Sequence, residues 1–370
     1  MENPARFIIT YRITAGTEVE AAQFAEKIGT EQSVEMPLVA VPHAGKASLP
    51  DLLDLKQIEK NVWDASLSYP KSLFDGDITQ LINVLFGNIS MLHDIKVVDI
   101  SHQAFREHFN GPVFGIDGIR KKLNAPKRAL SCTALKPIGL SPAELAENAY
   151  QFSAGGIDVI KDDHGLANQH SADFRARVTA CVQAVRMGEQ VSGKKTLYFP
   201  NITTSPASVL DRYHEAVELG ADGVLISPQL TGLEMLHTLS NRGHIPLMAH
   251  PAFSGAFVIH PTHGFAPEIY YGTLWRALGA DAVIYPNAGG RFSFTRQTCS
   301  NINDHLRKDF LKFRSGFPTP AGGIDLHSLD EELSYYGNNT IYLIGGSLYK
   351  QPDGILSATS KFQNVLMRHE

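Results

Sequence analysis

From Pro126 to the end of the chain, short apolar segments alternate with longer helical stretches, and no other feature of the sequence constrains the fold as tightly. Strands are expected at Ala129 to Leu135, Ile157 to Lys161, Thr196 to Phe199, Gly223 to Ile226, Pro246 to Ala249, Ala282 to Tyr285, Pro318 to Ala321 and Ile341 to Ile344. Helices are expected between them, at Pro142 to Ser153, Phe174 to Met187, Ser205 to Leu219, Gly232 to Ser240, Ile269 to Leu278, Phe294 to Arg307, Leu329 to Tyr336 and Ile355 to Met367. Eight βα units in about 240 residues fit a closed parallel (β/α)8 barrel, whereas a doubly wound sheet rarely needs so many. The first third lacks this beat. Strand patterns at Phe7 to Ile13 and Lys96 to Ile100 and helical ones at Val19 to Ile28 and Ile78 to Phe86 make it an α+β domain. A hinge at Gly111 to Pro126 divides the chain into an N-terminal domain, 1–125, and a catalytic barrel, 126–370.

Composition narrows the function classes. With 370 residues, 43% hydrophobic and 19% charged, the chain is globular and long enough for two cores. Its net charge of −5 is spread out, with no basic run to hold nucleic acid. No apolar stretch reaches the roughly 20 residues that span a bilayer. Three cysteines without ligand spacing and an N-terminus without a secretory pattern point to a reducing, cytoplasmic setting. Small-molecule chemistry is the expected business of such a chain.

In a barrel, that chemistry belongs at the C-terminal ends of the strands. The densest cluster there is GGIDVIKDDHG, residues 155 to 165. Because alternate strand residues face opposite ways, Lys161 and Asp163 can share a centre, with His164 joining from the turn. The competing explanation is a solvated loop or an ion pair closing the strand. A second cluster, ALKPIGLSP, places Lys136 at a strand end, with Ser141-Pro142 opening a helix. A lysine desolvated in a site can act as a general base; otherwise it is a surface residue before a turn. The last two strands end in Gly322-Gly323 and Gly345-Gly346, where backbone amides can approach an anion closely.

These motifs, with Tyr69-Pro70, Leu73-Phe74 and Gly87-Asn88 in the first third, resemble the RuBisCO large subunit and its RuBisCO-like relatives over nearly the whole chain. The resemblance implies a TIM barrel behind a small ferredoxin-like α+β domain. It places Lys136 on the enolising base, and it puts Lys161, Asp163 and His164 on the positions that hold Mg2+, Lys161 falling on the lysine that is carbamylated. His250 falls on a rim histidine and Gly322, Gly323, Gly345 and Gly346 on the first phosphate site. Asn88 falls on the asparagine that reaches into a partner subunit's site, so a homodimer or an assembly of dimers is implied.

The departures from the family pattern limit the reaction. His164 stands where the family has a glutamate ligand, and an imidazole suits Mg2+ poorly. Ile138 replaces a lysine, while Pro251 and Ile284 replace an arginine and a histidine that serve a second phosphate. A monophosphate is therefore expected, and carbon fixation on ribulose bisphosphate is not. Arg291 falls near the loop lysine that steadies a carboxyl group, and a guanidinium can grip a carboxylate with two bonds. On that ground the sequence favours a lyase that decarboxylates a 3-oxo sugar-acid monophosphate such as 3-oxo-isoapionate 4-phosphate. The alternatives are an isomerase or enolase acting on 5-methylthioribulose 1-phosphate in methionine salvage, or a non-catalytic binder of phosphorylated ligands.

Overall fold

The protein is described by a computed structural model covering residues 5–292 and 294–369. It divides into two compact units. One comprises the chain up to Phe109 together with Ser254–Tyr270, and the other comprises Asn110–Phe253 and the chain from Tyr271 onward. The expected boundary at 125/126 thus differs from the structure at both ends. Residues 110–125 go with the barrel, and a piece from the middle of the barrel sequence goes with the N-terminal unit. Among the described residues no helix is long and apolar enough to cross a membrane.

The N-terminal unit starts with strand β1, Arg6–Thr14, whose alternation buries Phe7, Ile9, Tyr11 and Ile13 on one face. Thr17 and Glu20 then form a reciprocal capping box that starts the helix Glu18–Glu31. A hairpin follows, β2 (Asp51–Glu59) with β3 (Val62–Pro70), then the helix Ile78–Phe86 and strand β4, Ile95–Ile100. The strand order β4-β1-β3-β2, with β1 antiparallel to both neighbours, is the ferredoxin-like arrangement expected. The β2–β3 hairpin itself was not foreseen. The β4 edge is also occupied: further along the chain, residues 264–265 add a short strand parallel to β4. Lys96 fastens that segment by donating to the carbonyls of His260 and Pro261 at 2.7 and 3.2 Å.

In the second unit the eight expected strands all form. They are β5 (Leu130–Leu135), β6 (Val159–Asp162), β7 (Leu197–Phe199), β8 (Val224–Ile226) and β9 (Leu247–Ala249), then, after β10 (Gly264–Phe265) of the other unit, β11 (Ala282–Pro286), β12 (Phe317–Ala321) and β13 (Ile341–Leu343). They pair in the order β7-β6-β5-β13-β12-β11-β9-β8, and a parallel bridge from Asn201 to Leu225 closes the ring. Of the helices, Leu329–Tyr336 matches its expected bounds, while the one expected over Ile269 to Leu278 begins as a wide π-type turn over Glu268–Leu274.

The barrel interior is filled by inward residues of several strands, including Cys132, Val159, Leu197, Leu225, Met248, Ile284 and Phe317. Ile116, Ile119 and Leu123 of the helix Gly115–Leu123 join this core. Asp281, at the foot of β11, fixes that helix by accepting the N–H groups of Phe114 and Gly115, each at 2.7 Å, and that of Leu247 at 2.8 Å. With apolar side chains closing the foot, polar groups collect at the strands' other ends.

Candidate active site

Strand β6 sorts its last residues by face. Lys161 is 2% exposed and donates from Nζ to the Asp162 carbonyl at 3.0 Å. Burial pushes its ammonium pKa down, against the attraction of Asp163. Asp162 turns the opposite way, to Arg177 at 3.1 Å, the Tyr198 hydroxyl at 2.8 Å and the Asn201 N–H at 3.0 Å. Of the two adjacent aspartates, then, Asp162 braces the strands and Asp163 faces the site. Arg177, wholly buried, completes that brace, and the sequence offered no sign of it beyond a cation in a helix.

Asp163 accepts from Lys136 Nζ at 2.7 Å, and His164 Nδ1 lies 3.6 Å from the same oxygen. Burial alone would raise the carboxyl pKa, but hydrogen bonds from His164 and Lys136 and the positive charge of Lys161 outweigh it and hold Asp163 ionised, far below its ordinary range. The ring of His164 stacks on that of His250, with centroids 4.4 Å apart and planes 12° off parallel, and the His164 carbonyl accepts from Asn201 Nδ2 at 2.9 Å. Burial first, then Lys161 and His164, drive the His250 pKa well below its usual value, so the ring is neutral. Its Nδ1 accepts the Ala252 N–H at 3.1 Å, which leaves the proton on Nε2. Lys136, Lys161, Asp163, His164 and His250, from the ends of three strands, are therefore one connected group.

Of the four glycines, Gly345 comes nearest to this group. A Cβ built on Gly345 would stand 4.0 Å from Lys136 Cε, and one on Gly346 or Gly322 would meet nothing within 4 Å. Gly323 approaches the backbone of Gly290 so closely that a Cβ would come within 2.9 Å of Gly290 Cα, and its φ of +82° suits glycine alone. Arg291 lies on the same loop as Gly290 but is exposed. Its guanidinium rests 5.6 Å from the Phe292 ring centre and makes no ion pair among the described residues. Asn88, in the N-terminal unit, is exposed too and donates to Glu31 at 3.1 Å. Asn287, a strand-end residue, is held by the Tyr336 hydroxyl at 2.6 Å and donates to Glu332 at 3.3 Å.

Residues 115–365 match the model of the ribulose bisphosphate carboxylase large chain, catalytic domain. The chain belongs to the RuBisCO large-chain family. It falls among the family's RuBisCO-like proteins. A structure of a Rubisco-like protein from Rhodopseudomonas palustris superposes with a TM-score of 0.89 at 33% identity, covering 99% of this chain and 98% of that one. The chain is 35% identical to the 5-methylthioribulose-1-phosphate isomerase of Rhodospirillum rubrum, over 96% of its own length and 95% of the relative's. It is 31% identical to the 2,3-diketo-5-methylthiopentyl-1-phosphate enolase of Geobacillus kaustophilus, over 89% and 80%. Against the RuBisCO pattern the departures keep a physical meaning: Ile284 lies in the barrel core at 2% exposure, where it offers an anion nothing, and Pro251 has no cationic side chain to give.

Proposed function

We propose that this chain moves a proton beside the carbonyl of a phosphorylated keto sugar, as an isomerase or enolase acting on 5-methylthioribulose 1-phosphate or a related ketose phosphate. The observation that carries this reading is the contrast between two cations. Lys136 is built into the connected group through a 2.7 Å bond to Asp163, whereas Arg291, on which decarboxylation would depend, is exposed against Phe292. The names of the two relatives point the same way, and this displaces the decarboxylase reading. Exposed apolar side chains at strand ends suit a thioether: Ile138 is 51% and Phe253 73% exposed.

Lys136, as its neutral amine, takes the proton from carbon to become an ammonium, and then returns that proton. His250 offers Nε2–H to a substrate oxygen, and the amides of Gly322, Gly323, Gly345 and Gly346 hold the single phosphate. The donors for a divalent cation such as Mg2+ would be ionised Asp163 and Lys161, with His164 at the third position, where its imidazole suits a borderline ion better than Mg2+. Among the described residues no three His, Cys, Asp or Glu side chains are gathered closely enough to hold a metal; Lys161, as a carbamate, would add an oxygen donor to the set. Its burial favours the neutral amine from which a carbamate forms. When bound, the cation polarises the substrate carbonyl and its neighbouring hydroxyl.

The test is to incubate the protein and Mg2+ with 5-methylthioribulose 1-phosphate in deuterated water and follow the carbon-bound hydrogens by NMR. Deuterium uptake with formation of an isomer or enol is expected. Release of CO2 from a 3-oxo sugar-acid phosphate, with no exchange in the ketose phosphate, would overturn the reading.

A further inference from the structure

Strands β5 and β13 stop pairing below the site: their last rung is Ile344 N–H to the Cys132 carbonyl. Beyond it, the chain after β13 turns away through Gly345 and Gly346, and on that side the Ala134 carbonyl and the Lys136 N–H, at the end of β5, have no strand partner among the described residues. One side chain takes over both. The Tyr349 hydroxyl donates to the Ala134 carbonyl and accepts the Lys136 N–H, each at 3.0 Å. Its ring is seated edge-on against Phe152, with centroids 5.3 Å apart and planes at 79°. Tyr349 closes the single helical turn Gly346–Tyr349 that begins at the second glycine of the eighth loop. Burial pushes the phenol pKa far up, so the hydroxyl keeps its proton for the bond to Ala134.

We infer that Tyr349 is a positioning residue that couples occupancy of the glycine loops by the substrate's phosphate to the placement of Lys136. The physical reason is the short path. Gly345 and Gly346 open the turn that Tyr349 closes, and the Tyr349 hydroxyl holds the backbone on which Lys136 is mounted. A shift of the turn on phosphate binding moves the base, so the phosphate contributes to kcat as well as to KM. The inference rests on the reading of Lys136 as base and of the glycine loops as phosphate site.

Tyr349→Phe removes one oxygen and keeps the ring on Phe152, so the chain should still fold, which thermal melting checks. Two measurements then separate the ideas. In the first, inorganic phosphate is added to the full-length protein without sugar, and the rate at which an amine-directed reagent modifies Lys136 is followed by mass spectrometry. In the wild type phosphate should change that rate severalfold, and in Tyr349→Phe it should not. Equal phosphate sensitivity in both proteins, or none in the wild type, overturns the inference whatever the substrate proves to be. In the second, with the ketose phosphate, Tyr349→Phe should lower kcat by about tenfold to a hundredfold, the scale of a displaced catalytic group, and leave KM nearly unchanged. A rise in KM with kcat intact would show a merely structural tie and overturn it as well. Wild-type protein inert toward the ketose phosphate would count against the proposed reaction alone, because the first measurement does not use it.

Discussion

Lys136 and Asp163 share the shortest ion pair of the connected group, and their roles separate on substitution. Lys136→Ala should abolish deuterium exchange into the ketose phosphate, because proton abstraction starts the reaction. Arg291→Ala, which removes a cation resting on Phe292, should stay within about threefold of wild type, the range of a surface change. A crippled Arg291 variant beside a working Lys136 variant would reverse the assignment. Asp163→Asn keeps the shape but removes the charge that faces Lys136, Lys161 and His164. It should weaken Mg2+ binding and activity together, and calorimetry with Mg2+ alone reads the first without any substrate. Much of this group was legible in the sequence, since KDDHG on a buried strand places Lys161 and Asp163 on one face by alternation alone. That Asp162 serves the brace was not legible, because its partners Arg177 and Tyr198 lie on other elements.

At the scale of elements, the barrel strands announce themselves because both faces are buried and each reads as an apolar run. The hairpin strand β2 does not. Nearly all of its residues are exposed, so no alternation marks it, and only pairing with β3 makes it a strand. The sequence presents Gly115–Leu123 as a hinge, because what holds this helix lies in core contacts and in Asp281 rather than in any local signal. Burial raises the Asp281 carboxyl from 3.8 to about 6 against the pull of three backbone N–H bonds. A raised carboxyl favours the folded state fully below its unfolded value and loses that advantage as pH climbs through about 6, which amounts to about 3 kcal/mol for two pH units. Asn at this position cannot ionise and has one acceptor oxygen for three donors. The urea-midpoint gap between wild type and Asp281→Asn should therefore be widest near pH 4 and shrink toward pH 7. A gap that does not change with pH would show that Asp281 is not titrating. In the eighth loop, Gly346→Val places its side chain in open space, so folding should survive. The KM for the phosphorylated substrate should rise about tenfold to a hundredfold, the worth of one or two charge-assisted hydrogen bonds, and the unphosphorylated sugar should be indifferent to the change.

At the scale of the whole molecule, the resemblance that places Asn88 in a partner's site predicts a composite centre. Specific activity should then fall on dilution as dimers part, and Asn88→Ala should lower activity without moving the dimer's dissociation constant; sedimentation and kinetics over one concentration series check both. A fully active monomer would refute this. The N-terminal unit has a further property that follows from its borrowed segment, Ser254–Tyr270. On the ribosome, the sheet β4-β1-β3-β2 emerges early, but the strand that covers the β4 edge, Gly264–Phe265, comes far later in the chain than the end of β4 at Ile100. At roughly 5 to 20 residues per second, that edge stays open for on the order of ten to thirty seconds of synthesis, exposed to any neighbouring nascent chain. An N-terminal fragment ending at Phe109 would keep it open permanently. Nearly three quarters of the polypeptide must therefore be translated before its first-made sheet can be finished.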